Sequence, residues 1–281
     1  MENKFSVLMS VYQLESPAFL TQCLESLVVQ TLPPNEVLIV EDGPIGNALQ
    51  GVISRFRNLL PITTVRLAVN LGLGPALRAG VEQCRFGLIA RMDSDDVCAP
   101  QRFERQMQHL ADHPEIDVLG ASISEFDSDP GCCIADRCLP ESQDAIRLLA
   151  KGRNPVNHVT VLFRKAAVLS AGNYRSFGGF EDYDLWVRML MAGARFHNMN
   201  EPLVLVRCGN GMVARRGGLA YLRREIALFR HFHKIGFLNA AEFVRALLPR
   251  VPIRLLPVSA RAQFYKAALR KSPEQAHTLS Q

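Results

Sequence analysis

Three aspartates stand close together in the stretch LIARMDSDDV, where they could bind a metal ion. An apolar run from Leu88 to Ala90 leads into them, and Asp93, Asp95 and Asp96 follow it. Such a run predicts a buried strand, and open α/β folds bind ligands at the carboxyl ends of their strands. Mg²⁺ and Mn²⁺ prefer carboxylate oxygens together with phosphates. The stretch indicates a cation that holds a phosphate, although an acidic turn before a helix explains DSDD by itself equally well.

A second carboxylate pair, Glu41 and Asp42, lies in EDGP at the end of the apolar run EVLIVE. A carboxylate at the carboxyl end of a strand can accept a hydrogen bond from a ribose hydroxyl or a uracil N–H, and Gly43 lets the backbone approach closely. Taken alone, EDG is more typical of a simple turn. The pair is therefore a candidate nucleotide contact only if other motifs support it.

Two glycine-rich stretches carry arginines that could bind phosphate. NLGLGPALRAG leads into a predicted helix that contains Arg78, and RCGNGMVARRGG combines four glycines with Arg207, Arg215 and Arg216. Backbone N–H groups at such a turn can bind an anion, and a basic loop can neutralise a diphosphate. A structural turn and a basic surface loop remain the alternatives.

A third acidic pair, Glu181 and Asp182, follows two glycines in GGFEDYDLWVRML, at the start of a predicted helix. Carboxylates there suit the helix dipole and the N-cap, but they could also supply a general base on a rigid element. His158, on the predicted strand VNHVTVLF, is a minor candidate for the acceptor site. The pairs His109/His113 and His231/His233 fit packing or surface positions.

Short apolar runs alternate with helical patterns over the first two thirds of the chain, in the order β-α-β-α-β-α-β-α-β. That order predicts an α/β fold with a mostly parallel sheet covered by helices on both faces. After Phe126 the pattern loosens into an excursion, and a last strand is predicted at Leu203 to Arg207. From Gly217 onward the pattern is helical. The predicted strands before the excursion are FSVLMSV, EVLIVE, ITTVRLA, FGLIAR and IDVLGASI.

Composition narrows the class of protein. The 281 residues are 48% hydrophobic and 21% charged, which indicates a globular chain with one large domain and an appendage. We find no signal peptide and no apolar run of the ~20 residues that span a bilayer, so we expect a cytoplasmic protein. Seven cysteines without paired spacing predict reduced thiols rather than a disulfide or zinc framework.

Charge is distributed unevenly. Residues 1–206 hold 18 Lys or Arg against 24 Asp or Glu, whereas residues 207–281 hold 14 against three, a balance of +11. A basic, apolar tail suits an anionic membrane surface, although a solvated helical face explains it as well. No nucleic-acid partner is expected. The apolar tail residues on which peripheral attachment depends are Leu228, Phe229, Phe232, Phe237, Phe243 and Leu247.

The order of SVLMSVY, VLIVEDGP, the NLGLG glycines, ARMDSDD and FEDYDLWVRMLMAG resembles the family 2 glycosyltransferases, which have the GT-A fold. The resemblance covers about residues 5–215, so we expect a catalytic domain at 1–215 and a helical basic extension at 216–281. NPVNHVTVLFRK and GNGMVARRGG resemble the bacterial exopolysaccharide and capsule branch, similar to amylovoran biosynthesis. The spacing of five motifs is more specific than any one motif.

The resemblance implies roles for the acidic residues. Asp42, with Glu41 beside it, matches the contact to the nucleotide base or ribose. Asp93 and Asp95 match the DxD motif that binds Mg²⁺ or Mn²⁺ and the donor diphosphate, with Asp96 in support. Asp182, in the pair with Glu181, matches the catalytic base.

The resemblance also implies a reaction. Many relatives carry a histidine after the last strand; this chain has Arg207 there, so Arg207 or the pair Arg215/Arg216 would neutralise the diphosphate. The implied activity is inverting transfer from a nucleotide diphosphate sugar, most often a UDP-sugar, to a hydroxyl of a growing lipid-linked oligosaccharide at the inner face of the membrane. The alternatives are a sugar nucleotidyltransferase, or a non-catalytic subunit of a polysaccharide assembly complex.

Overall fold

The computed structural model describes residues 4–208 and 217–255 of the chain. In these ranges strands and helices alternate up to β4, as the apolar runs predict. The strands are β1 (Phe5–Val11), β2 (Glu36–Glu41), β3 (Ile62–Arg66), β4 (Leu88–Arg91), β5 (Val97–Cys98), β6 (Val118–Phe126), β7 (Cys133–Arg137), β8 (Leu162–Arg164) and β9 (Phe196–Arg207). The helices are α1 (Pro17–Val28), α2 (Asn47–Phe56), α3 (Leu73–Gln83), α4 (Arg102–Asp112), α5 (Gln143–Ala150), α6 (Lys165–Ser170), α7 (Glu181–Met191), α8 (Gly218–Lys234), α9 (Ala240–Leu247) and α10 (Arg250–Leu255).

The strands form one mixed sheet in the order β3-β2-β1-β4-β8-β6-β9-β5, with β7 paired to β6. The first four strands are parallel, and β9 runs parallel to β6. Strand β8 is antiparallel to both β4 and β6, so it joins the two parallel parts. Because the carboxyl ends of β1, β2 and β4 meet at one edge, the loops that follow them share that edge.

Both faces of the sheet are buried. In β1, Leu8 packs in one apolar cluster while its neighbours Val7 and Met9 pack in the other. Successive side chains of a strand point to opposite faces, so two buried faces require an apolar residue at nearly every position. This explains why the strands appear as continuous apolar runs rather than alternating ones, and the predicted helix-covered sheet is confirmed.

The predicted strand at residues 156–163 is wrong over most of its length. His158–Thr160 forms a 3-10 turn, and only Leu162–Arg164 pairs as a strand. Polar side chains supply the local hydrogen bonds: Thr160 Oγ1 donates to the Asn157 carbonyl at 2.8 Å and accepts from the Ala121 N–H at 2.8 Å. Such bonds compete with a strand ladder, and they place His158 on a turn.

The apolar residues predicted to attach the tail to a membrane are buried in the protein. Phe232 of α8 is fully buried, and its ring lies 5.0 Å from that of Tyr183 on α7. Leu228, Phe229 and Phe237 are buried in the same cluster, and Phe243 and Leu247 pack against it. Four of these six side chains are therefore core residues, and the other two are partly buried against them.

The C-terminal helices are also tied down by charges. Glu225 of α8 is 3% exposed, and Arg250 and Arg254 of α10 lie 3.0 and 2.8 Å from its carboxylate. A buried carboxylate with two guanidinium partners is satisfied, whereas an unpaired one would be costly. No helix in the two described ranges is long and apolar enough to cross a membrane.

We predict that Phe232→Ala lowers the free energy of unfolding by about 3–5 kcal/mol, because it leaves a cavity in the core shared by α7 and α8. Leu248→Ala, at a side chain that is 73% exposed, is the matched control and changes it by less than about 0.5 kcal/mol. Urea unfolding of both variants measures the difference. Equal losses would mean that α8 lies outside the core.

Candidate active site

The EDGP loop and the NLGLG loop are joined through Asp42. Its carboxylate accepts hydrogen bonds from the backbone N–H groups of Leu71 and Gly72, at 2.8 and 3.0 Å. Gly43 adopts φ +82°, and a Cβ there would lie 2.6 Å from the backbone nitrogen of Asn70. The close approach that Gly43 permits is therefore one between the backbones of these two loops. Two of the roughly four acceptor positions of the Asp42 carboxylate are used in this way.

Glu41 and Arg78, both predicted ligand contacts, have protein partners instead. The Glu41 carboxylate is buried, and Nε of Arg66 donates to both of its oxygens, at 3.2 Å to Oε1 and 3.1 Å to Oε2. Arg78 lies about half exposed on α3, with its Nε 3.4 Å from Glu82. Glu41 therefore fastens the end of β2 to β3, and Arg78 belongs to a helix surface.

The DSDD stretch forms a compact carboxylate cluster after β4. Oxygens of Asp93, Asp95 and Asp96 all lie within 4.8 Å of one another, and the described part of the chain holds no other such group of three possible metal ligands. The Asp93 side chain is 41% exposed, whereas Asp96 is buried. The cluster therefore faces solvent on the side of Asp93.

Crowding and burial make this cluster unfavourable without a cation. Burial, and then the charges of Asp93 and Glu15, raise the pKa of Asp95 to about 6. Burial, and then the charges of Asp93 and Asp95, raise the pKa of Asp96 well above its ordinary value. Like charges in one small space disfavour ionisation, and a divalent ion with oxygen ligands relieves the repulsion. The donor set fits Mg²⁺ or Mn²⁺.

Arg207, at the end of β9, forms hydrogen bonds to the loop that carries the carboxylate cluster. Its backbone N–H donates to Asp96 at 2.9 Å, and its Nε donates to the Asp95 carbonyl at 3.2 Å. Its guanidinium carbon lies over the rings of Phe19 and Phe126, at 3.9 and 4.6 Å. This guanidinium is engaged in positioning the metal-site loop.

Arg215 and Arg216, the other arginines predicted to neutralise the diphosphate, lie outside the described residues. The predicted contact of the diphosphate with these two arginines or with Arg207 stays a prediction.

Glu181 and Asp182 open α7, but their carboxylates meet different partners. Glu181 accepts from the Gly179 N–H at 3.0 Å and closes the glycine loop before the helix. Asp182 Oδ2 accepts from Asn154 Nδ2 at 2.5 Å and lies 3.9 Å from Nδ1 of His158. Burial raises the pKa of Asp182, and the hydrogen bond from Asn154 opposes this. Asp182 is therefore a largely buried carboxylate, with its side chain 18% exposed and its pKa raised.

Arg91 connects the carboxylate cluster to Asp182. It is 2% exposed at the end of β4, and its Nη2 donates to Asp93. Its charge lowers the pKa of Asp96 and of Asp182, although burial is the larger effect in both. One buried cation therefore acts on both acidic groups, which makes the metal candidate and the base candidate parts of one site.

Sequence analysis missed three residues of this site: Arg91, Asn154 and Tyr174. The signal for Arg91 was present, because a charged residue that continues a buried apolar run needs a partner. Asn154 and Tyr174 come from irregular segments, and Tyr174 OH lies 2.9 Å from Nε2 of His158. Only the tertiary fold brings those segments to the start of α7.

Solved structures share this architecture. The structure of S. aureus TarS residues 1–349 with UDP-GlcNAc matches with a TM-score of 0.66 at 18% identity, covering 97% of this chain and 77% of that one. The mannosyltransferase PcManGT from Pyrobaculum calidifontis, with GDP-Man and Mn²⁺, matches with a TM-score of 0.63 at 17% identity, covering 99% and 78%. At these identities the likeness establishes the fold, which is the GT-A fold of glycosyltransferases.

The chain belongs to glycosyl transferase family 2, whose family model matches residues 6–166. The amylovoran biosynthesis glycosyltransferase AmsE of Erwinia amylovora is 42% identical over 265 residues, covering 93% of this chain and 98% of the relative. An Escherichia coli protein named UDP-Gal:alpha-D-GlcNAc-diphosphoundecaprenol beta-1,3-galactosyltransferase is 35% identical over 268 residues, covering 95% and 97%. The predicted family is confirmed, and the chain is a family 2 glycosyltransferase.

We predict that Asp95→Asn weakens Mn²⁺ binding by at least about 10- to 100-fold, the loss that is typical even for partners of metal ligands. Asp112→Asn, an exposed aspartate at the end of α4, is the matched control and leaves the affinity unchanged. Isothermal titration calorimetry measures both. Equal affinities of the two variants would remove Asp95 from the metal site.

The same variant separates a metal-binding role from a structural one. Because the pKa of Asp95 is raised, the folded protein binds its proton more tightly than the unfolded chain does, so stability falls as pH rises from about 4 to about 6. Without metal at neutral pH, Asp95→Asn should therefore melt no lower than the wild type. A large drop in melting temperature would indicate a structural role.

Proposed function

We propose that the protein is an inverting, metal-dependent glycosyltransferase that moves a sugar from a UDP-sugar to a hydroxyl of a lipid-linked oligosaccharide in bacterial exopolysaccharide, capsule or O-antigen synthesis. One observation carries the proposal: three carboxylates whose oxygens lie within 4.8 Å of one another follow the strand that ends in buried Arg91, which donates to Asp93 and whose charge also favours the ionised form of Asp182. The two chemical requirements of the reaction, a site for the diphosphate and a base for the acceptor, thus share one buried charge.

Asp93 and Asp95 would hold the cation, since Asp93 faces solvent and the cluster oxygens lie within 4.8 Å of one another. A bound Mg²⁺ or Mn²⁺ would stabilise the negative charge that develops on the departing diphosphate. Asp96 accepts a hydrogen bond from the Arg207 N–H and so links the loop that carries the carboxylate cluster to the end of β9. The solved relatives that carry UDP-GlcNAc, or GDP-Man and Mn²⁺, support this use of the fold.

Asp42 is the proposed contact to the nucleotide base or ribose. Its carboxylate keeps acceptor capacity after binding the Leu71 and Gly72 N–H groups, so a ribose hydroxyl or a uracil N–H can be added. Glu41 supports it by fixing the end of β2 through Arg66. Neutralisation of the diphosphate falls to Arg215 and Arg216, whereas Arg78 is assigned no direct contact.

Asp182 is the proposed base. Its carboxylate takes the proton of the acceptor hydroxyl while that oxygen attacks the anomeric carbon from the face opposite the diphosphate. Glu181 accepts from the Gly179 N–H, which turns one of its oxygens toward the glycine loop. With Asp182 as the one proposed proton acceptor, we propose a single displacement, which inverts the anomeric centre.

The acceptor is proposed from the relatives and from chemistry. The E. coli relative is named for a GlcNAc-diphosphoundecaprenol acceptor, and AmsE for amylovoran biosynthesis. We therefore propose an acceptor that carries its hydroxyl on a sugar linked through diphosphate to a lipid. The direct test incubates the protein and Mn²⁺ with UDP-galactose, UDP-glucose, UDP-GlcNAc or GDP-mannose, and with a GlcNAc-diphosphate-lipid acceptor, and measures product by mass spectrometry. Absence of transfer from every UDP-sugar would contradict the proposal.

We predict that Asp182→Asn lowers kcat by about 10²- to 10⁴-fold, the usual contribution of a general base, and leaves the affinity for UDP within about twofold. Glu181→Gln retains an acceptor for the Gly179 N–H and should keep kcat within about tenfold. Steady-state transfer kinetics and UDP titration measure these effects. The reverse ranking of the two variants would make Glu181 the base.

We predict that kcat falls on the acidic side at a pH above the ordinary carboxyl range of about 4. Burial raises the pKa of Asp182, so its carboxylate becomes protonated, and inactive as a base, earlier as pH falls. A pH profile of kcat with saturating Mn²⁺ measures the acidic limb. A limb that stays unchanged in the residual activity of Asp182→Asn would belong to another group.

A lipid-linked acceptor places the proposed working site at the inner face of the cytoplasmic membrane. With four of the six apolar tail residues buried and the other two packed against them, contact would depend on exposed residues in and just after α9. Val244 is 58% exposed and Leu248, which follows the last residue of the helix, is 73% exposed, with exposed Arg245 between them. Residues 207–281 carry a balance of +11, which complements an anionic surface. We propose α9 as the membrane-facing element.

We predict that the double variant Val244→Glu/Leu248→Glu sediments less with phosphatidylglycerol vesicles than the wild type does. Two carboxylates on the proposed contact face remove apolar area and add repulsion from anionic lipid. Leu148→Glu, on a side chain of α5 that is 71% exposed, is the matched control. Equal sedimentation of all three proteins would exclude α9 as the contact.

A further inference from the structure

His158 is a largely buried histidine with a polar group near each ring nitrogen. Its Nε2 lies 2.9 Å from the hydroxyl oxygen of Tyr174, and its Nδ1 lies 3.9 Å from Oδ2 of Asp182. The indole of Trp186 meets the ring edge-on, with 5.9 Å between centroids. Only 12% of the imidazole side chain is exposed. The ring therefore has a defined place beside the proposed base, to which the mechanism so far gives no role.

The surroundings decide the protonation of this ring. Burial lowers the pKa of His158 well below its ordinary value, and the charge of Arg91 lowers it further. The charged and titratable groups around it come from three elements: Arg91 from β4, Asp182 from α7 and Tyr174 from the segment after α6. A neutral imidazole has one N–H and one acceptor nitrogen.

The partners also select the tautomer. Burial raises the pKa of Tyr174, so this side chain keeps its O–H and can donate to Nε2. An ionised carboxylate only accepts, so the nitrogen that faces Asp182 is best used as a donor. The carboxylate therefore favours the proton on Nδ1, and the Tyr174 hydroxyl, which can donate or accept, is compatible with it.

We propose that His158 is a positioning residue for Asp182: its Nδ1–H, oriented by the Tyr174 hydroxyl on Nε2, faces Oδ2 of the carboxylate beside the Asn154 amide. This inference depends on the proposed role of Asp182 as the base. With Oδ2 held by these two groups, Oδ1 remains to take the acceptor proton. At 3.9 Å the Nδ1–Oδ2 contact is longer than a hydrogen bond, and such contacts at catalytic groups commonly shorten when substrates bind.

The proton balance is simple. The acceptor O–H proton moves to Asp182 Oδ1, the acceptor oxygen bonds to the anomeric carbon, and the bond to the diphosphate oxygen breaks with its electron pair. His158 takes up no second proton during the step, because an imidazolium next to Arg91 would place two positive charges together inside the protein. Its role is therefore to orient the carboxylate and not to carry the proton away.

The tautomer can be tested without a substrate. Long-range ¹H–¹⁵N NMR of the full-length protein labelled with ¹⁵N-histidine distinguishes the two neutral tautomers and the imidazolium, and loss of the signal in His158→Asn assigns the resonance. We expect a neutral ring protonated on Nδ1 in the wild type, and a mixture of tautomers in Tyr174→Phe. A ring protonated on Nε2, or a charged ring at neutral pH, would overturn the proposal.

The kinetic test uses two amide variants with the donor that shows transfer in the panel above. His158→Gln keeps a polar group near the place of Nε2 but loses the donor toward Asp182, so kcat should fall about 10- to 100-fold, a loss typical of a misplaced catalytic group. KM for the donor should stay within about twofold, and the acidic limb of kcat should move to higher pH. His158→Asn, with its amide near the place of Nδ1, should recover part of kcat.

Two buried tyrosines supply the control for stability. Tyr174→Phe removes the hydroxyl on His158, whereas Tyr183→Phe removes a hydroxyl that donates to the Ala150 carbonyl at 2.7 Å. Each loses one buried hydrogen bond, so both should lower the melting temperature by about 2–4 °C. Only Tyr174→Phe should lower kcat and shift its acidic limb.

The outcomes separate the two proposals. Equal kinetic losses in both Tyr→Phe variants would mean that Tyr174 and His158 only support the fold. Wild-type kcat in His158→Gln, with Asp182→Asn inactive, would reject the positioning role and leave the proposed function standing. Full activity of Asp182→Asn would reject the base itself, whatever the tautomer of His158.

Discussion

The buried guanidinium of Arg91 is the charge on which both halves of the site depend. A cation that is 2% exposed at the end of a central strand is costly unless an anion pairs with it, and Asp93 provides that anion two residues later. The same charge partly offsets the burial of Asp96 and Asp182. Without it, the three-carboxylate cluster and Asp182 would each have less compensation for the cost of burial.

Side chains of two helices, α1 and α4, fix the backbone at this charge and just after it. Arg102 of α4, fully buried, donates to the Arg91 carbonyl at 2.7 Å, and Cys23 of α1 donates to the Asp93 carbonyl at 3.3 Å. Both contacts fix the backbone of the acidic loop, so its side chains remain for ions and ligands. Helices on one face of the sheet thus determine where the carboxylates lie at its edge.

The local sequence was enough to predict the site residues that lie within a few positions of the end of a strand or the start of a helix. EDG, DSDD and the ED pair each occur where the chain leaves a buried strand or enters a helix, so their order predicted both the GT-A fold and the candidate residues. The partners of those residues could not be predicted in the same way. Asp42 meets backbone N–H groups 29 and 30 residues later, and Asn154 precedes Asp182 by 28 residues, in an irregular segment.

The errors have a common physical origin. An apolar helix face indicates burial against something, and the sequence does not say whether the partner is lipid or protein. In α8 the partner is α7: Phe232 meets Tyr183, and His231 Nε2 lies 3.3 Å from buried Asp184. In the same way, the apolar residues around His158 indicated burial, but polar bonds from Thr160 decided that the segment turns.

The two acidic parts of the site have raised pKa values for different reasons, and this difference suits two kinds of chemistry. Asp95 and Asp96 are both buried and crowded by other carboxylates, so a divalent cation is the most effective relief. The pKa of Asp182 is raised mainly by burial, and the neighbours of its carboxylate are an amide and an imidazole rather than a cluster of anions. A cation near the first group lowers its proton affinity, whereas the second keeps the basicity that proton removal requires. Arg91 between them favours ionised carboxylates in both places without carrying a proton itself.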